Sequence, residues 1–222
     1  VFNELELIDD GRLRVGAGVG CTKVARFSAS AGLSGVEFLA GIPGTMGGAL
    51  VMNAGSFGSE TWDLVISVET LDRYGNRHIR YKKDFNIGYR HVELFANEWF
   101  ISCELDLDED HEAQGEDRIR KFLAQRAESQ PVNQLSCGSV FRNPANDYAA
   151  RLIEYCGLKG KCIGDACVSR KHANFIINQG SASATDIENL ILYVRDTVRQ
   201  RCNVDLIPEV RIIGERTDEH SG

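Results

Sequence analysis

The sequence lacks long hydrophobic runs, an excess of basic residues and paired cysteine motifs. No apolar stretch approaches the ~20 residues that a membrane-spanning helix needs. No charged segment followed by an apolar one predicts a signal peptide. The net charge is -7 over 222 residues, so no basic excess predicts nucleic acid as a partner. We therefore expect a globular protein that binds neither nucleic acid nor membrane.

The seven cysteines are scattered along the chain, and none forms a C-x-x-C pair. His172 does not lie at zinc-finger spacing from any two of them, so we predict no metal site. Cys162 and Cys167 could meet across a turn. Free or buried thiols are the expectation for both, because disulfides are rare in a reducing cytosol.

Glycine is concentrated in the stretch GIPGTMGGA (41–49), which continues into NAGSFG (53–58). Glycines let another molecule approach the backbone closely, and successive exposed N–H groups can hold an anion. No lysine follows, which excludes a P-loop, and the spacing is not that of a Rossmann fingerprint. The stretch predicts a phosphate or pyrophosphate cradle. A structural loop of tight turns is the alternative.

Hydrophobic periodicity predicts a mixture of helices and strands with no internal repeat. Thr22 is expected to cap the first helix, and Thr185 with Glu188 to form a capping box on the last. Strands are expected at 5–20 (two strands around a turn), 64–71, 78–81, 99–107, 173–178 and 210–213, and helices at 22–32, 119–130, 149–156 and 186–201. This pattern indicates an α+β protein in two lobes.

A second informative segment is SCGSVFRNP (136–144). It is not G-x-S-x-G, so it does not indicate a hydrolase nucleophile elbow, and Ser139 by itself fits a turn serine better than a nucleophile. Arg90 in GYR and Glu209 in LIPEVR would, taken singly, be ordinary surface charges.

Taken together, these segments resemble the UDP-N-acetylenolpyruvoylglucosamine reductases, the bacterial MurB family. The glycine stretch resembles the family's flavin pyrophosphate loop, and GSVFRNP resembles the segment with its proton-donating serine. GYR and LIPEVR resemble the segments with its active-site arginine and glutamate. The resemblance covers nearly all of 11–214 and fits the compact variant of the family. Arg142 stands where the family usually has lysine, and His91-Val92 stands where it often has Asp-Ser.

The resemblance implies an FAD-binding lobe of the MurB/vanillyl-alcohol-oxidase-like (PCMH-type) superfamily over 1–130, with a connecting helix. A C-terminal α+β substrate-binding domain would follow over 131–222. It also implies a monomeric cytoplasmic oxidoreductase of peptidoglycan synthesis. This enzyme would reduce UDP-N-acetylglucosamine enolpyruvate to UDP-N-acetylmuramate with FAD as cofactor and NADPH as reductant.

The same resemblance assigns the site residues. Arg90 would clamp the substrate carboxylate, a protonated Glu209 would hydrogen-bond the developing enolate, and Ser139 would protonate the carbanionic carbon. Substrate binding falls to Asn143, Arg142 and Arg211. The cofactor-binding residues would be Gly41, Ile42, Pro43, Gly44, Thr45, Gly47, Gly48, Asn53, Ala54 and Gly55.

The family also carries an N-terminal flavin-binding lobe with a motif like GxGSN, which we do not find ahead of the glycine stretch. We therefore expect a fragment of a longer protein or a divergent member. Two alternatives stay open: a relative that binds a UDP-sugar without turnover, and another flavin oxidoreductase of the same superfamily.

Overall fold

A computed structural model describes residues 2–9 and 11–214 of the chain. The chain divides into two compact units, residues 1–126 and 127–222. The sequence-based division at 130/131 lies close to this boundary.

The first unit contains eleven strands and three helices among its described residues. Its helices are α1 (Cys21–Ser30), α2 (Met46–Met52) and α3 (Gly115–Ser129), with 3-10 turns at Glu37–Gly41, Thr61–Asp63 and Lys82–Asp84. Its strands are β1 (Leu5–Asp9), β2 (Arg12–Gly16), β3 (Leu33–Ser34), β4 (Gly55–Ser56), β5 (Ser59–Glu60), β6 (Val65–Asp72), β7 (Arg77–Tyr81), β8 (Ile87–Gly88), β9 (His91–Val92), β10 (Glu98–Asp106) and β11 (Asp108–Glu109).

An antiparallel sheet in the order β1-β2-β10-β6-β7 forms the frame of this unit. Its core follows from alternation along the strands, because successive side chains point to opposite faces. Val15 of β2 lies opposite Cys103 of β10, which lies opposite Val68 of β6. All three are buried. Such directly opposed apolar residues are the contacts that stabilise a sheet. The strands expected at 64–71, 78–81 and 99–107 are confirmed.

Helix α3 joins this unit through a buried ion pair rather than through apolar contacts alone. Arg118 Nη2 lies 2.7 Å from a carboxylate oxygen of Glu37 and 2.9 Å from one of Asp110. Both carboxylates are nearly inaccessible to solvent. The network ties the helix to the 3-10 turn that leads into the glycine stretch.

The second unit is a smaller α+β arrangement. An antiparallel sheet in the order β12-β15-β14-β13 packs with two helices. The strands are β12 (Ser136–Ser139), β13 (Cys162–Ile163), β14 (Ala166–Val168) and β15 (Phe175–Asn178), and the helices are α4 (Ala149–Tyr155) and α5 (Ala184–Cys202). Leu190, Ile191, Val194 and Val198 of α5 are buried in the core, which confirms the apolar stripe expected for that helix.

Two expected helix caps are wrong. Helix α1 begins at Cys21 with Gly20 as its N-cap, and the Thr22 hydroxyl donates instead to the carbonyl of Ala40. On α5 the capping box is formed by Ser183 and Asp186. Both S-x-x-D and T-x-x-E have capping-box spacing, and the helix starts at the first of them, so Thr185 already lies inside it.

The strand expected at 210–213 is also wrong. This segment has no strand pairing, and Ile213 is 94 % exposed. The chain instead makes one isolated antiparallel bridge earlier, between Pro208 and Phe141. An apolar pattern by itself does not form a strand where no neighbouring strand accepts its hydrogen bonds.

Cys162 and Cys167 form a disulfide, which overturns the expectation of free thiols. The two residues are direct partners across the β13–β14 hairpin. Their Cα atoms lie 4.1 Å apart, close to the Cα separation of directly opposed, non-hydrogen-bonded residues in an antiparallel pair. The two cysteines therefore do meet across a turn, as their spacing allowed, but they form a disulfide and are not free thiols.

We predict that replacing both cysteines by alanine lowers the free energy of unfolding by about 2 kcal/mol, because the disulfide closes a short loop and a short loop restricts the unfolded chain modestly. Denaturant unfolding under non-oxidising and oxidising conditions measures this. Cys137→Ala is the matched control, since Cys137 is exposed and unbridged. An unchanged midpoint on reduction of the wild-type protein would contradict the prediction.

Candidate functional site

The glycine stretch crosses the first unit as an exposed turn that leads into α2. Three backbone hydrogen bonds fix it to the segment 17–21: Cys21 N–H donates to Gly44 O (3.1 Å), Met46 N–H to Val19 O (2.8 Å) and Gly47 N–H to Ala17 O (2.9 Å). A Cβ at Gly47 would come 3.0 Å from the Cβ of Ala17. Gly47 therefore allows close packing of α2 beneath the turn.

The outer side of the same turn is open. Pro43, Gly44, Thr45 and Gly48 are exposed. A Cβ at Gly44 or Gly48 would meet nothing within 4 Å, and Gly44 has a φ of +104°, which favours glycine. This shape fits a pyrophosphate that approaches the backbone directly.

The NAG segment that follows is held from inside by Asn53. This residue ends α2 in the left-handed conformation (φ 40°) and is 2 % exposed. Its Nδ2 donates to Glu60 Oε2 (2.7 Å) and Gly88 O (3.2 Å), and its Oδ1 accepts from Trp62 N–H (3.1 Å). The side chain of Asn53 therefore positions Ala54 and Gly55 through contacts within the unit.

Arg90 lies beside this segment. Its Nη2 donates to Gly55 O (2.6 Å) and its Nη1 to Asn53 O (3.3 Å). Arg90 itself has a φ of 52° in the short loop between β8 and β9. Its positive charge is thus held against the NAG carbonyls.

Arg126 is a second cation at the glycine stretch, and the sequence analysis did not single it out. A Cβ at Gly41 would come 3.4 Å from Arg126 Nη1. Burial lowers the pKa of the Arg126 guanidinium. Next to it, the rings of Phe57 and Phe122 stack with centroids 4.3 Å apart. The sequence signal that could have found Arg126 is its spacing of four residues from Phe122, because residues four apart lie on one face of a helix.

In the second unit, the segments of Ser139 and Glu209 are brought together. Ser139 ends β12, and the chain continues through Val140 and Phe141 alongside 207–209. Glu209 N–H donates to Val140 O (2.8 Å), and Arg142 N–H donates to Ile207 O (2.9 Å). The segments that carry Ser139 and Glu209 therefore run alongside each other, with Glu209 bonded to Val140, the residue after Ser139. Both Ser139 and Glu209 are half-buried.

The three expected substrate contacts differ in their surroundings. Asn143 is exposed, and its Oδ1 accepts from Ala149 N–H (3.1 Å) at the start of α4. Arg142 Nε is buried without a hydrogen-bond partner among the described residues. Arg211 is exposed and follows the paired segment.

His172 is a residue that the sequence analysis considered only as a metal ligand. Its Nδ1 is likewise buried without a hydrogen-bond partner among residues 2–9 and 11–214. Burial lowers the pKa of its imidazole, with a further lowering from the nearby Lys159. An unpaired buried nitrogen is costly, so its presence here fits a polar ligand.

A cavity of about 670 Å³ also lies within the second unit. Arg170 and Lys171 line it together with Gln130, Ser169 and the Cys162–Cys167 disulfide. These two cations suit a phosphorylated ligand. Ser139 and Glu209 are not among the described residues that line it.

Comparisons with known proteins assign the two units. The FAD binding domain family matches residues 2–79, and the UDP-N-acetylenolpyruvoylglucosamine reductase C-terminal domain family matches residues 130–213. The UDP-N-acetylenolpyruvoylglucosamine reductase of Legionella pneumophila (strain Corby) is 54 % identical over 215 residues, which are 96 % of this chain and 70 % of that protein. The chain belongs to the UDP-N-acetylenolpyruvoylglucosamine reductase family.

Two further relatives agree. The reductase of Methylococcus capsulatus (strain ATCC 33009 / NCIMB 11132 / Bath) is 56 % identical over 199 residues, covering 90 % of this chain and 66 % of that protein. A crystal structure of the MurB reductase from Thermus caldophilus superposes with a TM-score of 0.82 at 34 % identity, covering 95 % of this chain and 74 % of that one.

Membership in the reductase family confirms the resemblance drawn from the motifs, together with the α+β fold class and FAD as the cofactor. Among the described residues, no group of three or more His, Cys, Asp or Glu could hold a metal ion. No helix in the same ranges is long and apolar enough to cross a membrane.

We predict that Gly48→Ala weakens FAD binding at least about tenfold, equivalent to about 1.4 kcal/mol, because the added methyl group fills the open side of the turn. The same change should keep or raise stability by up to ~1 kcal/mol, since alanine is the better helix former. FAD titration and thermal unfolding of the apoprotein separate the two effects. Unchanged FAD affinity in a folded variant would remove Gly48 from the cofactor site.

Proposed function

We propose that this chain reduces UDP-N-acetylenolpyruvoylglucosamine to UDP-N-acetylmuramate for peptidoglycan synthesis, with FAD as cofactor and NADPH as reductant. The observation that carries the proposal is the pairing of 140–142 with 207–209, which brings two distant motifs, one with a serine and one with a glutamate, alongside each other. A hydroxyl and a carboxyl group on adjacent segments are suited to proton transfer at one carbon atom.

FAD, when bound, supplies the hydride chemistry, and the protein supplies binding and orientation. The residues proposed to hold its pyrophosphate are those of the open turn, from Gly41 through Gly48 except Met46, with Asn53, Ala54 and Gly55 forming the adjoining wall. Support comes from the exposed glycine backbone at Gly44 and Gly48. Arg126 adds a cation next to Gly41 that can offset negative charge there.

Arg90 is proposed to orient the carboxylate of the enolpyruvyl group. An arginine fork matches the geometry of a carboxylate. Its hydrogen bonds to Asn53 O and Gly55 O hold its charge in a defined place beside the proposed cofactor wall. Binding through Arg90 would therefore align the substrate relative to the same backbone that holds the cofactor.

Ser139 and Glu209 are proposed to act on the carbon that bears this carboxylate. Reduction of the double bond develops negative charge on that carbon and its carboxylate, so a protonated Glu209 would stabilise the charge by donating a hydrogen bond. Ser139 Oγ would then give its proton to the carbon, for which a hydroxyl is acidic enough because a carbanion is a strong base.

The uridine diphosphate part is proposed to bind in the second unit, with Arg142, Asn143 and Arg211 as contacts. The unpaired buried Nε of Arg142 supports this, because an anionic ligand would satisfy it. Arg142 keeps the positive charge of the lysine usual in the family, but with a planar fork of donors.

We further propose that the protein acts as a monomer in the cytoplasm and contributes through cell-wall synthesis to cell shape and division. A nucleotide-sugar substrate and NADPH are intracellular metabolites, which supports this location. The Cys162–Cys167 disulfide is a feature more typical of oxidising compartments. Cell fractionation and analytical ultracentrifugation test compartment and assembly.

We predict that Ser139→Ala leaves FAD bound and its reduction by NADPH unchanged, while substrate reduction slows by about 10²- to 10⁴-fold, the range for loss of a general acid. Stopped-flow absorbance of the flavin band measures both half-reactions. Ser136→Ala, at the other end of β12, is the matched control. Full turnover in the Ser139 variant would exclude this serine as the proton donor. A wild-type protein that binds the UDP-sugar but never reduces it would overturn the proposed function.

A further inference from the structure

The segment Val140–Arg142 is held on one side by Asn174. Asn174 lies in the loop before β15 and is 3 % exposed. Its Oδ1 accepts from Phe141 N–H (3.0 Å), and its Nδ2 donates to Phe141 O (2.7 Å). Its main-chain carbonyl also accepts from Val140 N–H (2.8 Å). One asparagine thus provides three of the hydrogen bonds that a neighbouring strand would normally provide.

The other side of the same segment is held by 207–209. Arg142 N–H donates to Ile207 O, and Val140 O accepts from Glu209 N–H. Phe141 therefore lies between two partners, and its position is determined by Asn174 on one side and by the Glu209 segment on the other. Phe141 is itself buried in the core of this unit.

We propose that Asn174 is a positioning residue that sets the geometry of Ser139 relative to Glu209. This inference rests on the proposed function, because it assigns Asn174 a role in the proton transfer of that site. Ser139 precedes the held segment by one residue, and Glu209 is bonded to it directly. A shift of Val140 and Phe141 would move the serine hydroxyl relative to the carboxyl group, and a misplacement of about 1 Å can cost ~100-fold in rate.

The amide is specific for this task because it offers one donor and one acceptor to the same residue. An aspartate in its place has the same shape but, when ionised, presents an oxygen to the Phe141 carbonyl oxygen. The two oxygens repel each other. Burial also raises the pKa of the aspartate carboxyl, because the charged form loses its contact with water. When protonated, the aspartic acid again offers one donor and one acceptor.

Asn174→Asp is therefore the test, with Asn178→Asp as its matched control. Asn178 is the last residue of β15, the strand that begins directly after Asn174. Its Oδ1 accepts hydrogen bonds from Gly180 N–H and Ala182 N–H, and an aspartate would retain both. At a pH high enough to ionise the new carboxyl, Asn174→Asp is expected to lower kcat for substrate reduction by about 10- to 100-fold with KM changed less than about threefold. FAD content and flavin reduction by NADPH should match wild type.

The pH profile separates positioning from simple loss of structure. The ratio of variant to wild-type kcat should rise as the pH falls and the new carboxyl becomes protonated, whereas the ratio for Asn178→Asp should stay flat. His172, Arg142 and Glu209 are the charged or ionisable groups near Asn174, and Asn178→Asp, which adds the same carboxyl group elsewhere in this unit, is the control for an added charge. A ratio that stays near one at high pH, or a reduced ratio that does not respond to pH, would overturn the inference.

A readout that does not need turnover keeps this test distinct from the proposed function. Hydrogen exchange of the Val140 and Arg142 amides is expected to accelerate in Asn174→Asp, because repulsion at the Phe141 carbonyl displaces the segment to which both belong, and to be unchanged in Asn178→Asp. Absence of reductase activity in the wild-type protein would sink the proposed function, and with it the role of Asn174 in proton transfer. Unchanged exchange at both amides would overturn the positioning itself. Thermal unfolding establishes that each variant is folded before these comparisons.

Discussion

The buried amide of Asn53 is the contact on which the flavin-binding half of the chain depends. A side chain that is removed from water must find partners for its donors and its acceptor. Asn53 finds them on two separate segments, at Glu60 and Trp62 on one and at Gly88 on the other. Gly88 opens the loop that ends in Arg90, and Arg90 in turn binds the carbonyls of Asn53 and Gly55. The NAG segment and the arginine are therefore held by one connected set of hydrogen bonds.

The second unit uses the same device. Asn174 is buried to about the same extent as Asn53, and its side-chain amide hydrogen-bonds the backbone of Phe141 in a segment of the proposed site. In both places an irregular segment belongs to the proposed site, and the backbone groups of that segment that face the interior need hydrogen-bond partners. An asparagine side chain reproduces the donor and acceptor of a peptide group, so it can replace a strand where no strand is available.

Much of the fold, the family and the cofactor could be predicted from the sequence, because the signals were local or came as ordered motifs. Helix α5 was visible from its apolar stripe, and the hairpin of β6 and β7 from alternation around a turn. The motifs identified the family and FAD, since several matched segments in the right order are far more specific than any one of them. The assignments of Arg90, Ser139 and Glu209 to catalysis stay predictions.

Two of the failures, the strand expected at 210–213 and the missed position of Arg126, share one physical cause, which is that the deciding partner lies far away in the sequence. The segment 210–213 has strand-like residues but no neighbouring strand to pair with. Pro208, just before it, pairs with Phe141, which lies 67 residues earlier in the chain. Arg126 resembles a surface charge until Gly41 is placed beside it. Asn174 and Asn53 carry no signal in a periodicity pattern, because their importance comes from burial.

The hydrogen bonds of Arg90 to the NAG carbonyls do not depend on the two residues at which this loop departs from the usual family pattern. Where the family often has Asp-Ser, this chain has His91-Val92, and Val92 is buried in the core of the first unit while pairing with Ile87. The position thus contributes packing here rather than a hydroxyl group. Arg90 donates hydrogen bonds to two NAG carbonyls, and these bonds involve neither His91 nor Val92. A loop whose arginine is held through backbone carbonyls can change its neighbouring side chains without moving the charge, so the loss of that serine leaves the proposed carboxylate-binding cation in place.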